Sequence, residues 1–180
     1  MLFRSNNAAW AEKARFLTTQ AKDDPVEYIH SQIGYNYRLT NIQAAMGCAQ
    51  LEMLDEYIAA KRAISARYEA ALAGIEGLGL MPHASWAWST FWMYTVLIDE
   101  ERFGHSSRWL LERLQERRIQ TRPLWQPLHL SAAHAGSQAV VSDVAVRLNR
   151  DALSLPSSVG LAPHELDAVV ESIAGLSRQR

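Results

Sequence analysis

The longest hydrophobic pattern in the chain predicts a helix that begins just after residue 40. Thr40 and Gln43 are spaced as a capping box, in which the two side chains bond backbone N–H groups left free at a helix start. Apolar residues then recur every three, four or seven positions and keep one stripe facing a neighbour: Ile42, Met46, Ala49, Met53, Tyr57, Ile64, Tyr68 and Leu72. Gly74 and Gly77 are expected to end the helix. A rod of about thirty residues is about 45–50 Å long, so 40–74 is interpreted as a helix that links two bodies.

Shorter elements are predicted on both sides of this rod. A helix at Ala8–Thr18 precedes it, and beyond Gly74 the pattern changes to alternating helices and strands. The predicted elements there are a strand near Phe91–Ile98, a helix near Ser107–Arg118, a strand at Ile119–Arg122, a helix at Ser142–Ala152, a short strand and turn at LSLPSS, and a helix at His164–Leu176. The fold class is therefore α/β, with divisions at 1–39, 40–74 and 75–180.

Composition and charge narrow the function classes. The 180 residues are 48% hydrophobic and carry a formal net charge of -1, which is typical of a globular domain and gives no general attraction to nucleic acid. Cys48 is the only cysteine, so we expect no internal disulfide, no zinc cluster and a reducing, cytoplasmic location. Residues 77–98 lack charged side chains, but they include Pro82 and several polar residues, so a buried strand is favoured over a membrane span.

One short segment carries candidate chemistry. Residues 33–40 place two tyrosines, Asn36 and Arg38 immediately before the predicted helix start. Amide and guanidinium donors at a helix N-terminus suit an oxyanion such as phosphate. In the alternative interpretation, Asn36 bonds its own backbone in a turn and the tyrosines simply pack. Both interpretations remain open from spacing alone.

Four stretches resemble a known family: AEKARFLTTQ, GYNYRLTNIQAAMGCAQLEML, RPLWQPLH and LSLPSSVGL. In this order they resemble the C-terminal half of the DegT/StrS-type, pyridoxal phosphate (PLP)-dependent nucleotide-sugar aminotransferases, especially those that aminate 4-keto sugars for surface polysaccharides. The resemblance implies a fold-type I transferase, in which residues 1–39 belong to the large PLP-binding domain and 75–180 form the small α/β domain.

The same resemblance implies roles for individual residues. Active sites of the family lie at a dimer interface, where Asn36 would reach the cofactor phosphate of the neighbouring subunit, with Arg38 as a further anion contact. His129 would lie near the sugar, and Trp125 and Gln126 would line the same opening. We therefore expect a homodimer or higher oligomer and a nucleotide-sugar substrate, with no nucleic-acid or membrane partner and no metal.

The resemblance also implies that the Schiff-base lysine of the family is missing from this sequence. Family members carry their Schiff-base lysine upstream of the part that this chain matches. The three lysines present, Lys13, Lys22 and Lys61, lie beside charged residues and are expected to be solvated or held protonated. The sequence therefore predicts no covalently bound PLP and no transamination by this chain alone. The alternative is a non-catalytic module for oligomerisation or partner binding.

Overall fold

The computed structural model describes residues 5–24, 26–140 and 143–177. The chain forms two compact units, the first ending at Leu54 and the second beginning at Asp55. The first unit contains helices α1 (Ala8–Thr18) and α2 (Asn41–Glu52). Both helices begin where the sequence predicts. Asn7 caps α1 by accepting a hydrogen bond from the Trp10 N–H at 3.2 Å.

The predicted capping box of α2 is present. The Thr40 N–H donates to the Gln43 side-chain oxygen at 2.9 Å, and the Gln43 N–H donates to the Thr40 hydroxyl at 3.3 Å. Neither α1 nor α2 contains a buried residue. Among the described residues up to Leu54, Ala21 alone is buried, so the first unit has almost no hydrophobic core of its own.

The single rod predicted over 40–74 was wrong in one respect, because the helix is interrupted at Met53. Helix α2 ends at Glu52 and α3 runs from Leu54 to Leu72. The Met53 backbone has φ -96° and ψ 1°, which lies between helical and extended geometry. Neither proline nor glycine occurs within three residues of Met53, so no local signal marks the break. It coincides with the border between the two compact units.

The second unit is built on an antiparallel sheet with the order β1-β2-β4-β3. Its strands are β1 (Leu78–Gly79), β2 (Tyr94–Ile98), β3 (Arg122–Pro123) and β4 (Ala152–Leu155). The two central strands pair from Tyr94 opposite Leu155 to Leu97 opposite Ala152. Strand β2 starts three residues later than predicted. Strand β3 overlaps its prediction only at Arg122, because the residues before it close the preceding helix.

Helices pack on this sheet and enclose one core. They are α3, α4 (Glu100–Phe103), α5 (Ser107–Glu116), α6 (Asp143–Asp151) and α7 (Pro163–Leu176). The core is lined mainly by side chains from α3, β2, α5, β4 and α7, including Tyr68, Leu72, Tyr94, Val96, Leu110, Leu114, Leu153 and Ile173. Predicted helices α5 to α7 are confirmed within two residues at each end, although Ser142 lies outside the described residues and Ala152 begins β4. Burial of this core, worth about 25 cal/mol per Å² of apolar surface, stabilises the second unit.

The described segments also bear on the membrane and metal predictions. No helix within them is long and apolar enough to cross a bilayer. No group of three or more His, Cys, Asp or Glu side chains there is placed to hold a metal ion. Cys48 is exposed and unpaired.

Candidate functional site

Backbone hydrogen bonds connect the segment that carries Asn36 to the end of α1. The Tyr35 N–H donates to the Leu17 carbonyl at 2.7 Å, and the Tyr37 N–H donates to the Thr18 carbonyl at 3.0 Å. Thr19 and Asn36 thus form an antiparallel bridge at the end of α1. Residue 34 must be glycine here, because a Cβ at that position would lie 2.2 Å from the Gln20 carbonyl carbon.

The side chains of this segment alternate between two directions. The Tyr35 and Tyr37 rings stack with centroids 5.2 Å apart, and successive residues of an extended chain point to opposite faces, so Asn36 faces away from both rings. Asn36 and Arg38 are exposed, and neither side chain makes a hydrogen bond or ion pair with any described residue. The packing expected of the tyrosines is therefore observed, whereas Asn36 does not bond its own backbone.

These two donors lie just ahead of an ordered helix start. Asn36 and Arg38 precede Thr40, whose capping box fixes the first turn of α2. A helix N-terminus carries a partial positive charge, and an amide N–H and a guanidinium add donors to it. The arrangement is chemically suited to bind a phosphate or another oxyanion.

A second group of candidates lies in the loop between β3 and α6. Trp125 and Gln126 precede a 3₁₀ helix at Leu128–Leu130, and His129 lies within it. The Gln126 amide donates to the Leu130 carbonyl at 3.3 Å and so closes the loop on itself. His129 is half-buried, whereas Trp125 and Gln126 are exposed.

Helix α6 anchors this loop to the second unit. The Asn149 side chain donates to the Leu124 carbonyl at 2.7 Å, and the Arg108 guanidinium donates to the Asn149 carbonyl at 2.8 Å. These bonds fix the base of the loop one residue before Trp125. Asn36 and Arg38 belong to the first unit and the loop belongs to the second.

One neighbour of the loop was missed by the sequence analysis. Trp92 stacks on Trp125 with ring centroids 6.2 Å apart and an angle of 15° between the planes. The prediction placed Trp92 inside a buried strand. The structure instead places it two residues before β2, with 64% of its surface exposed. Trp92 lies within the uncharged stretch 77–98, and nothing in that stretch signals that its side chain is exposed.

The lysines are engaged in contacts within the chain. The Lys13 ammonium donates to the Gln32 side-chain oxygen at 2.5 Å, and the Lys22 ammonium lies 3.7 Å from the centroid of the Tyr28 ring. The expectation that Lys61 is solvated was wrong. Its ammonium is partly buried and donates to the Trp92 carbonyl at 2.8 Å and to the Ser157 carbonyl, and burial lowers its pKa below the usual 10.5.

Known proteins resemble this chain over most of its length. The DegT/DnrJ/EryC1/StrS aminotransferase family profile matches residues 2–174. EpsN of Bacillus subtilis (strain 168), described as a pyridoxal phosphate-dependent aminotransferase, is 39% identical over 180 residues, with 96% of this chain and 45% of EpsN covered. The GDP-perosamine synthase of Caulobacter vibrioides (strain ATCC 19089 / CIP 103742 / CB 15) is 32% identical over 173 residues, with 96% and 46% covered.

A solved structure confirms the fold. The aminotransferase TlmJ from Streptoalloteichus hindustanus superposes with a TM-score of 0.80 at 24% identity, with 95% of this chain and 45% of TlmJ covered. The predicted α/β class and its assignment to part of a PLP-dependent transferase fold are thus confirmed. The chain spans about half the length of the curated relatives that it matches. With a profile match over nearly its whole length, the chain belongs to the DegT/DnrJ/EryC1/StrS aminotransferase family.

Proposed function

We propose that this chain provides the C-terminal portion of a PLP-dependent aminotransferase that transfers an amino group to a nucleotide-linked keto sugar during surface polysaccharide synthesis. The observation that carries the proposal is the unengaged Asn36 amide, which is held by backbone bonds just ahead of the α2 N-terminus. Membership of a sugar aminotransferase family supports the reaction class.

The residues around Asn36 fit the phosphate group of PLP. The Asn36 amide N–H and the Arg38 guanidinium are exposed donors, and a phosphate dianion can accept from both. Their role is to bind and orient the cofactor in an active site shared with a neighbouring subunit. When bound, PLP supplies the electron sink on which amino-group transfer depends.

The loop that carries His129 is proposed to face the sugar. Its imidazole can donate or accept a hydrogen bond near neutral pH, and its half-buried position limits its movement. Trp125 and Gln126 offer an apolar ring and an amide on the same loop, a combination suited to a sugar with an apolar face and hydroxyl groups. These residues would position the sugar.

The Schiff-base lysine is proposed to come from outside these 180 residues. The Lys61 ammonium already donates to two carbonyls. Lys13 and Lys22 are held by Gln32 and by the Tyr28 ring. On this proposal the chain does not transaminate by itself.

The test supplies the chain with a lysine-bearing large-domain segment from a family member and measures PLP retained after dialysis. Asn36→Ala should weaken retention about tenfold or more, because a hydrogen bond to a charged acceptor is worth about 1.5–3 kcal/mol. Asn6→Ala changes another exposed asparagine of the same unit and should leave retention unchanged. His129→Ala should slow sugar turnover while cofactor retention stays constant. Equal retention by the Asn36 and Asn6 variants would contradict the proposal.

A second candidate function, association without catalysis, is favoured by the surface of α2. Ile42 and Met46 lie one helical turn apart and are 75% and 66% exposed, and Leu51 on the same helix is 70% exposed. Such apolar side chains would seek a covering surface. Light scattering should then give a mass of at least twice 20.2 kDa. A single-chain mass at high protein concentration would count against association.

A further inference from the structure

The backbone just before β2 is strained in a way that turns one side chain inward and the next outward. Phe91 has φ +47°, in the left-handed region that bulky residues rarely occupy. Its ring is nevertheless buried in the core at 5% exposure, while the adjacent Trp92 ring is largely exposed. Strain of this kind persists only where the surroundings hold it.

Two cations of α3 hold this strained segment. The Arg62 guanidinium donates to the Ser89 carbonyl at 2.6 Å and lies over the Phe91 ring at 5.8 Å. The Lys61 ammonium donates to the Trp92 carbonyl at 2.8 Å. These side-chain bonds to the carbonyls of Ser89 and Trp92 hold the backbone from which the Trp92 indole projects.

The second ring of the pair is fixed independently. Trp125 follows the Leu124 carbonyl, which Asn149 binds at 2.7 Å. The two indoles lie nearly parallel at 6.2 Å, yet Trp92 remains 64% exposed and Trp125 69% exposed. Together they present a stacked aromatic surface to solvent, carried by two backbone segments that are each anchored to the second unit.

We propose that the Trp92–Trp125 pair is a stacking platform that binds the face of a ring of the nucleotide-linked substrate. This inference rests on the proposed function, which supplies a ligand with two suitable rings. A nucleobase can stack through its π face, and a pyranose can lie with its apolar C–H face on an indole. Both sources share the same requirement, an exposed aromatic plane held in place before the ligand arrives.

The experiment measures binding of separate ring probes to the 180-residue chain. Guanosine diphosphate and uridine diphosphate test the base, methyl α-glucopyranoside tests the sugar, and inorganic pyrophosphate is the probe without a ring. Saturation-transfer NMR shows which ligand protons touch the protein, and titration gives Kd. Trp92→Leu and Trp125→Leu are compared with Trp86→Leu, a control at an indole that is 89% exposed and in no ring contact within the described residues.

Each platform variant is expected to weaken binding of the ring probe at least about fivefold, which corresponds to about 1 kcal/mol, the lower end of base stacking on an aromatic side chain. Trp86→Leu should leave Kd unchanged. Saturation of base protons identifies the nucleobase as the ligand, and saturation of glucoside protons identifies the sugar.

The platform would be overturned by no saturation of any ring, by equal Kd values in all three variants, or by pyrophosphate binding as tight as that of the diphosphates. A change of oligomeric mass in the Trp92 variant with unchanged ring binding would show that a second copy covers the pair, and would overturn it too. Failure here with loss of PLP in Asn36→Ala leaves the proposed function standing. If the ring probes bind the platform but Asn36→Ala retains PLP normally, only the proposed phosphate role of Asn36 is contradicted.

Discussion

Two stacked tyrosines in the core differ in one hydrogen bond, and that difference predicts opposite effects of the same substitution. The Tyr68 and Tyr94 rings are fully buried, with centroids 5.1 Å apart. The Tyr68 hydroxyl donates to the Pro156 carbonyl at 2.9 Å. The Tyr94 hydroxyl is buried and has no partner among the residues that the structure describes.

Removing each hydroxyl tests this difference. Tyr68→Phe should lower the free energy of unfolding by about 1–2 kcal/mol, because it removes the hydrogen bond from a buried ring to the partly buried Pro156 carbonyl. Tyr94→Phe deletes a hydroxyl that was desolvated without compensation, so it should raise the free energy of unfolding by up to about 1 kcal/mol. Urea unfolding at pH 7, followed by circular dichroism, measures both changes against the unmodified chain.

The pH dependence provides a second measurement on the same pair. Burial, with a smaller contribution from the Glu69 charge, raises the pKa of Tyr94 to about 12, and burial and Tyr94 also raise the pKa of Tyr68. Above pH 10 the unfolded state loses phenol protons that the folded state keeps. The contribution of Tyr94 to stability is therefore complete below pH 10 and declines as the pH rises toward 12, by about 2–3 kcal/mol in all.

Tyr94→Phe should accordingly lose less stability than the unmodified chain between pH 10 and 12. Equal destabilisation by Tyr94→Phe and Tyr68→Phe at pH 7 would contradict the difference in hydrogen bonding. An alkaline loss of stability that is identical with and without the Tyr94 hydroxyl would contradict the raised pKa of Tyr94.

Two further predictions concern the second unit, both measured by thermal unfolding. Gly77→Ala should lower the free energy of unfolding by more than about 3 kcal/mol, because φ is +74° and a Cβ would lie 2.2 Å from the Phe103 nitrogen. Gly74→Ala, where φ is +92° and the space is open, should lower it only by the backbone strain of about 1–2 kcal/mol. Similar losses in the two variants would argue against the clash. Arg67→Ala should change the free energy of unfolding by less than about 1 kcal/mol, since the 2.6 Å ion pair of Arg67 with Asp167 is substantially exposed. A larger loss of stability would show that the ion pair is coupled to the core.

The parts of the fold that the sequence predicted are those determined by neighbouring residues. The start of α2 follows from Thr40 and Gln43, which satisfy each other's backbone within one turn. Helix α7 follows from Pro163 at its first position and from an apolar face that the core buries. Such signals act over three or four residues, so they survive without knowledge of the tertiary structure.

The features that the sequence did not predict depend on distant residues. Phe91 has a left-handed backbone between two carbonyls, those of Ser89 and Trp92, that side chains of α3 bind. These side chains, Lys61 and Arg62, lie about thirty residues earlier in the chain. Periodicity alone would place Trp92 within a buried strand. The interruption at Met53 likewise has no proline or glycine to announce it, so a hydrophobic stripe that continues past residue 53 predicts a continuous helix.

The phosphate candidates are positioned differently from the platform, and this affects how each can function. Residues 88–92 and the loop at Trp125 are attached to a packed core, so their geometry is stabilised within the second unit. Asn36 is positioned by three backbone bonds in a unit where Ala21 alone, of the residues described there, is buried. A few exposed hydrogen bonds, each worth about 1 kcal/mol, do not hold a segment rigid without apolar burial. The proposed phosphate site therefore requires a covering surface, which the rest of an aminotransferase would provide, whereas ring binding should be measurable on this chain alone.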